Sequence, residues 1–569
     1  MKVDPFTLEI MLNKFFSITD EMGITLIRTS YSPNIKERAD ASCALFDAKG
    51  RMISQAEHIP GHLGALPVFM KLLLEKYPPE SFEDGDVLIT NDPYLGGSHL
   101  PDITIVTPVF YKGNLVAFCV NKGHHADVGG AAPSSMAGDT TEIYQEGIRI
   151  PLEFLYKRGE LNKALLNMIL SNVRTPEERL GDLRAQIAAN NVGKRRFIEM
   201  IEKYGLENVQ LYAEEIMNYT ERRMRAAISK IPSGTYEEED TIDEGVRLKV
   251  KITIKDDEIF VDFSGSSPQM RGCRNSPLAV TMASVYFVIK CLTDPEVPPN
   301  DGTFRPIHVY APEGSILNPK PPAAVAGGNV EIAQPLCDVL FGALAKAAPD
   351  RVYAYCQGTM NNVSIGGIDP RIKKAYTYYE TLAGGMGGRP NKDGIDAIHT
   401  NRTNTKNTPI EAFEIAYPLL VLRYEIVPDT GGAGKYRGGC GLIREIQVMD
   451  HVATVSILSN RRETNPKGLF GGKPGAKGVN KIIRTDGSVE ILPCRGRWTL
   501  NPGDIISVQT PGGGGYGPPN ERDINLIQKD IIEGKVTLES AIRDYNYKPS
   551  QKILNILKMQ KKYGVIGGD

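Results

Sequence analysis

The sequence predicts a multi-domain α+β protein, and three observations carry that prediction. Apolar residues recur at helical spacing near the N-terminus, and helix signals return between residues 175 and 231. Period-two alternation takes over from Ser233, most clearly in Val246–Ile254, and strand-like runs dominate Leu419–Tyr516. Glycine (57) and proline (38) are interspersed among apolar runs, which marks many turns in a folded chain rather than low complexity. These changes of texture divide the chain into an α/β segment over 1–232, a mixed, glycine-rich segment over 233–418, a β-rich segment over 419–520 and a helical tail over 521–569.

Taken in order, Leu8, Met11, Leu12, Phe15, Met22 and Leu26 predict an amphipathic helix over residues 6–28. Cys43–Phe46 and Arg51–Ser54 flank Asp47-Ala48-Lys49-Gly50 and predict a hairpin, with Asp40 in the polar loop before it. His58 and His62 follow at i and i+4, but Pro60 and Gly61 between them predict a loop; the pair reads equally as a site wall or as structure. A helix over Pro67–Tyr77 and a buried strand over Asp86–Thr90 come next. Thr175-Pro176-Glu177-Glu178 places Thr at the N-cap, Pro at N1 and Glu at N3 of a helix reaching about Tyr204, broken or kinked near Gly193. A polar helix over Glu207–Ile231 and a buried one over Ala279–Leu292 follow, then a loop-rich stretch to about Thr405 that includes AGGNVE. Leu419–Tyr516 predicts a β-sandwich or barrel-like module, with turn chemistry at the GGGG of residues 512–515. Glu521–Gly534 and Thr537–Tyr545 predict tail helices.

The most informative stretch is Asn91–Gly130. It holds three of the eight histidines (His99, His124, His125), interleaved with Asp92, Asp102 and Asp127. Two β-rich runs, Ile103–Tyr111 and Leu115–Asn121, meet at Lys112-Gly113-Asn114 and predict a hairpin. A hairpin brings its ends together, so His99 and Asp102 at the entry can lie beside His124 at the exit. Two imidazoles and a carboxylate converging this way suit a divalent transition metal such as zinc, manganese or iron. An alternative with the same ligand types is a non-haem iron triad, although those usually space the first pair H-x-[DE] and here it is H-x-x-D. A non-catalytic scaffold is the other.

Composition excludes several classes. A net charge of −2 gives no electrostatic case for nucleic acid or an anionic membrane. No apolar run approaches the ~20 residues of a membrane span, and the N-terminus does not read as a signal peptide. Eight scattered cysteines without a C-x-x-C predict a reduced, cytosolic protein with buried thiols. No glycine run matches G-x-x-x-x-G-K-[ST] or G-x-G-x-x-G, so ATP is not expected to bind this chain.

Along nearly its whole length the sequence resembles the hydantoinase B/oxoprolinase family. The resemblance rests on SPNIKERADASCALFD, QAEHIPGHLGAL, GDVLITNDPYLGGSHLPDI, GHHADVGG, RTPEERLGDLRAQIAANNVG, GGMGGR, TNTKNTPIEAFE and TPGGGGYG. It implies a metal-binding subunit of an ATP-dependent cyclic amidohydrolase of hydantoinase, 5-oxoprolinase or lactamase type. A hydantoinase A-type ATPase subunit would phosphorylate the amide, in a heterotetramer or larger assembly. The related implication is the large subunit of an ATP-dependent ketone carboxylase. The family pattern implies His99, Asp102 and His124 as metal ligands and Asp40 as an added ligand or near neighbour. It leaves His125 and Asp127 to orient ligands, water or substrate, although Asp127 also reads as a turn cap before Val128-Gly129-Gly130.

Overall fold

The computed structural model describes residues 3–562 and combines helices with several sheets. The first helix, α1 (Pro5–Thr29), starts where Asp4 accepts a bond from the Thr7 amide at 2.8 Å and Pro5 takes N1. Then come β1 (Ala41–Asp47), β2 (Met52–Gln55), α2 (Pro60–Leu63), α3 (Leu66–Lys76), β3 (Val87–Thr90), β4 (Asp102–Tyr111), β5 (Asn114–His124), β6 (Glu153–Lys157) and β7 (Glu160–Leu161). The seven strands form one sheet in the order β2-β1-β5-β4-β3-β6-β7, antiparallel throughout. Lys112 and Gly113 turn the β4–β5 hairpin with positive φ at both positions, 50° and 82°, the pattern of a two-residue I′ turn.

One face of this sheet is covered by α1 and α4 (Pro176–Tyr204), which is followed by α5 (Leu206–Ile228). The other face packs Ala44, Phe118 and Val120 against Leu66, Phe69 and Met70 of α3. The N-terminal elements thus follow the sequence reading, with three corrections. α2 is a short helix, where Pro60 and Gly61 suggested a loop, and Pro60 occupies its tolerated first position. Thr175 makes no side-chain cap; its Oγ1 accepts from Arg179 Nη1 at 3.2 Å instead. α4 also runs unbroken through Gly193, whose missing side chain serves close packing: a Cβ there would lie 2.4 Å from Met22 Sδ and 2.9 Å from Cys119 Sγ.

A second sheet contains β8 (Gly234–Ile242), β9 (Val246–Lys255), β10 (Glu258–Asp262) and β11 (Ile307–Tyr310), ordered β11-β10-β9-β8. Two helices, α6 (Leu278–Leu292) and α7 (Ala333–Leu344), share its apolar cluster. α7 lies in the stretch expected to be loop-rich. Every residue of it is buried, Gln334 and Asp338 included, so it has no exposed, charged side of the kind that marks a surface helix. The same stretch supplies β12 (Asn362–Asp369) and β13 (Lys374–Thr381).

The remaining strands are β14 (Leu419–Ile426), β15 (Leu442–Val448), β16 (Ala453–Leu458), β17 (Val479–Ile483), β18 (Val489–Leu492), β19 (Arg495–Leu500) and β20 (Ile505–Gln509). They form two sheets, β13-β12-β16-β19 and β14-β15-β20-β17-β18, which share one apolar cluster, so strands from both sides of residue 418 lie in one sheet. The GGGG run is packing rather than turn chemistry. Its four amides bond to the Ala476, Gly439, Tyr355 and Lys473 carbonyls at 2.8–3.2 Å, and a Cβ on Gly514 would lie 2.0 Å from the Lys467 carbonyl. The tail forms α8 (Ile524–Ile532), α9 (Leu538–Tyr545) and α10 (Gln551–Lys562). The cysteines are free and buried apart from exposed Cys291, and no described helix is long and apolar enough to cross a membrane.

The packing at Gly193 makes a prediction. Ordinarily a mid-helix glycine is a liability of ~1 kcal/mol relative to alanine. Here Gly193→Val should lower stability in urea unfolding by about 1–3 kcal/mol through overpacking. Unchanged stability would show that α1 and β5 leave room at this crossing.

Candidate metal centre

The hairpin register builds the centre. Asp102, the first residue of β4, pairs directly with His124, the last of β5. His99 sits three residues upstream, where a turn bonds the Asp102 amide to the His99 carbonyl at 3.0 Å. All three side chains are buried. His124 Nδ1 is 2.9 Å and His99 Nε2 3.2 Å from Asp102 Oδ1, and the two nitrogens are 3.1 Å apart. Bonds of ~2.0–2.2 Å to a single ion set donor atoms ~3–3.4 Å apart in octahedral or tetrahedral geometry. The donor set therefore fits a divalent cation.

Hydrogen bonding points the same way. His99 Nδ1 faces the Ala326 carbonyl at 3.2 Å. A carbonyl only accepts, so Nδ1 carries the proton and Nε2 turns its lone pair towards Asp102. Two electron-rich atoms this close need a cation or a proton between them. Burial opposes the charge on Asp102, but His99, His62 and His124 outweigh it and hold the carboxyl well below its usual range. Burial also opposes a charged His99, yet Asp102 raises that imidazole above its ordinary value, whereas at His124 burial prevails and lowers it.

The other predicted residues divide into two groups. Asp40 precedes β1, where Ala41 pairs with Gly123, and the Asp40 carbonyl accepts from the His124 amide at 3.0 Å. Its buried carboxylate lines the same cavity and stands 3.8 Å from His62 Nε2 and 3.9 Å from Arg38 Nη2. His125 and Asp127 are not brought into the cluster. His125 turns to Gln186 on α4, with Nε2 2.9 Å from Oε1. Both carboxylate oxygens of Asp127 are occupied, by the Gly129, Ser134 and Arg174 amides at 3.0 Å and by Arg174 Nη1 at 2.8 Å. That is the geometry of the turn-cap alternative.

Several site residues escaped the sequence reading as site residues. His62, left undecided there, reaches Asp102 Oδ2 at 3.4 Å from the short helix α2. Lys122, fully buried in β5, bonds Ser98 Oγ at 3.3 Å, and Ser98 donates to Asp102 Oδ2; burial pushes the ammonium down to about 8. Tyr379 of β13 stacks on His124 at 4.9 Å and 15°, with Arg38 at 5.0 Å from the Tyr379 ring centroid. Arg402 gives Nη2 to the Asn329 carbonyl at 2.6 Å while its buried Nη1 has no partner, and burial lowers it to about 10. Only Lys122 left a local signal, a cation within an apolar strand. The cavity bounded by these side chains is about 30 Å³, room for little more than water.

A profile of the hydantoinase B/oxoprolinase family matches residues 4–519. The chain belongs to that family. It is 35% identical over 569 residues to the B subunit of a putative D-/L-hydantoinase of Pseudomonas sp., covering 96% of this chain and 95% of that one. Among solved structures, an ATP-dependent caprolactamase from Pseudomonas jessenii is 31% identical with a TM-score of 0.90, covering 97% of this chain and 98% of that one. Acetone carboxylase, at 19% identity, shares the fold with a TM-score of 0.88 over 100% of this chain and 84% of that one. The chain spans 42% of the length of 5-oxoprolinase 1 of Arabidopsis thaliana, to which it is 39% identical over 542 residues and 90% of its own length.

The geometry ranks the candidate ligands. After loading with zinc and removal of free ion, His124→Ala and Asp102→Asn should fall to background by mass spectrometry, whereas His62→Ala should keep most of its metal. Full occupancy in folded His124→Ala would remove His124 from the ligand set.

Proposed function

We propose that this chain is the metal-binding subunit of an ATP-dependent, two-component hydrolase of cyclic amides. A partner ATPase subunit of hydantoinase A type would phosphorylate the amide oxygen, and this chain would open the activated ring. The observation that carries the reading is the buried His99–Asp102–His124 cluster in a chain so similar to an ATP-dependent caprolactamase along its length. A divalent ion bound there (zinc, manganese or iron) would supply Lewis-acid chemistry that polarises the substrate and favours hydroxide over water near neutral pH.

The chain's own residues account for the remaining work. His99, Asp102 and His124 present their donors from a rigid hairpin, and Asp40 adds a carboxylate at the cavity wall. His62 bridges Asp102 and Asp40 at 3.4 and 3.8 Å, while Lys122 through Ser98 holds the other side of Asp102. The unpartnered Nη1 of Arg402 offers a guanidinium to the phosphoryl group. Asp127 and His125 act at one remove, Asp127 by fixing the loop after His124 and His125 by tying that loop to α4. A cavity of about 30 Å³ admits no lactam ring, so the wall around Gly61, Arg402 and Thr403 must yield to substrate. The glycine runs are consumed in packing against backbone, which supports ATP being handled by a partner. A heterotetramer or larger assembly, with a broad interface typical of obligate complexes, follows from this division.

Oxygen labelling of the co-purified complex tests the reaction. With a cyclic amide, ATP and labelled water, label should enter the product carboxylate and the released phosphate should carry the amide's own oxygen. Label in phosphate instead would mean that ATP hydrolysis is not coupled through a phosphorylated amide. Carboxylation of a ketone without any amide opening would replace this reading altogether. Tight ATP binding by the isolated chain in calorimetry would remove the need for a separate ATPase.

A further inference from the structure

Behind His99 lies a buried carboxylate that the reaction described above does not use. Glu146 is only 1% exposed and, among the described residues, forms no ion pair with lysine or arginine. Its Oε1 accepts from the Ala326 amide at 2.9 Å and from Thr140 Oγ1 at 3.1 Å, and its Oε2 accepts from the Val325 amide at 3.0 Å. A charge taken out of water this completely is costly unless hydrogen bonds compensate it. Two consecutive amides of a distant loop and the Thr140 hydroxyl offset part of that cost, and burial still pushes the carboxyl up to about 7.

That loop ends at the metal cluster. The Ala326 carbonyl is the partner of His99 Nδ1 at 3.2 Å, and the next amide, Gly327 N–H, donates to the Cys273 carbonyl at 2.8 Å. The peptide that accepts the His99 Nδ1–H hydrogen bond is thereby fixed on both sides, by Glu146 before it and by Cys273 after it. Two residues on, Asn329 lies 3.5 Å from Asp102 Oδ2 and holds Arg402. The AGGNVE segment is thus a main-chain bracket for the cluster, and Glu146 is what anchors it.

We propose that Glu146 is a positioning residue of the metal centre: by clamping the Val325 and Ala326 amides it aims the Ala326 carbonyl at His99 Nδ1 and so keeps the His99 Nε2 lone pair on the metal side. The inference rests on the metal-binding reading of His99, Asp102 and His124. Metal-bound histidines commonly give their second N–H to a carbonyl or carboxylate that sets tautomer and ring orientation, and losing such a partner costs about 10–100-fold in affinity. Glutamine cannot replace Glu146, because one of its two terminal groups is a donor and would face an amide N–H, releasing one end of the bracket.

The test measures zinc affinity of the full chain by competition with a chromophoric chelator, alongside thermal unfolding of the metal-free protein. Glu146→Gln should bind zinc about 10–100-fold more weakly than wild type. Tyr94→Phe is the structural control, because the Tyr94 hydroxyl donates to the Ala323 carbonyl on the same segment without touching the bracket. It should lower the unfolding temperature and leave zinc affinity within about twofold, well below the loss of about 10–100-fold expected when an outer partner is removed. Equal affinity in wild type and Glu146→Gln, or equal losses in Glu146→Gln and Tyr94→Phe, would overturn the proposal. If Glu146→Gln does not fold, Thr140→Val, which removes one bond to Oε1, should weaken zinc several-fold, and an unchanged affinity there overturns it. A wild-type chain that binds no zinc would overturn the metal reading itself, a result separate from the loss of the clamp alone.

Discussion

The centre depends on one register, that of β4 against β5. Side chains alternate along a strand, so a slip of one residue would turn either Asp102 or His124 to the opposite face and dissolve the cluster. The hairpin turn at Lys112-Gly113 fixes one end, and a bulge at Val109/Phe110 shifts the pairing by one residue so that Asp102 meets His124 rather than Gly123. Helix α4 enforces it along the length: Gln186 Nε2 bonds the Ile103 carbonyl at 2.8 Å, Asn190 Nδ2 the Ile105 carbonyl at 3.1 Å, and Asn121 Nδ2 the Gln186 carbonyl at 2.7 Å. Side-chain amides of the helix thus read the β4 backbone, and Asn121 of β5 reads the helix backbone in return. This places a demand on α4 itself. It must come close enough for short amides to reach, and Gly193 and Ala189 on its inner face permit that approach.

Charge is the second constraint. Asp102, Lys122, Arg38 and Arg402 are all buried within one small region, where isolated charges would be heavily penalised. Each is hydrogen-bonded or faced by an opposite charge, and the arrangement leaves few donors free. The exceptions are informative because buried polar atoms without partners are uncommon. Arg402 Nη1 and His124 Nε2 are both unpaired, and both residues line the cavity. Thr403 Oγ1, also on the cavity wall, is unpaired as well, but so is His125 Nδ1, which does not line the cavity, whereas Asp127 and Lys122 spend their capacity on the protein.

The sequence made the hairpin and its three candidate ligands legible for a local reason: two β-rich runs around a tight turn bring together whatever stands at their ends. The family resemblance added Asp40. What remained hidden was hidden by distance or by uniformity. Asn329, Tyr379 and Arg402 reach the cavity from other modules, and no local pattern links them to His99. Helix α7 was invisible because it is buried on every side, its Gln334 and Asp338 included, and Gly193 suggested a break because glycine usually weakens a helix. The glycine runs suggested turns because that is glycine's commonest use, whereas residues 512–515 serve the close approach of backbone to backbone. Asp127 reads two ways in the sequence, as a residue orienting the site and as a turn cap, and the four bonds on its carboxylate have the geometry of the cap.

These long-range contacts tie the centre to assembly of the whole chain. His99, Asp102 and His124 come from one hairpin, but the walls around them come from the AGGNVE bracket, from β13 and from the segment around Arg402. None of those parts is held to the first sheet by continuous strand pairing. Their docking rests on contacts such as Tyr379 against His124 and the Gly61 amide on the Arg402 carbonyl at 3.2 Å. On the proposed reading, an ion that binds only the assembled arrangement stabilises that docking by mass action, ~2.7 kcal/mol when its free concentration is a hundred times Kd. The same linkage runs in reverse. Loosening a wall to admit substrate weakens the bracket behind His99, so an opening large enough for a ring and a firmly held ion oppose one another. A division of labour in which the substrate arrives already activated eases that conflict, since the centre then needs to open for one committed ligand rather than to sample many.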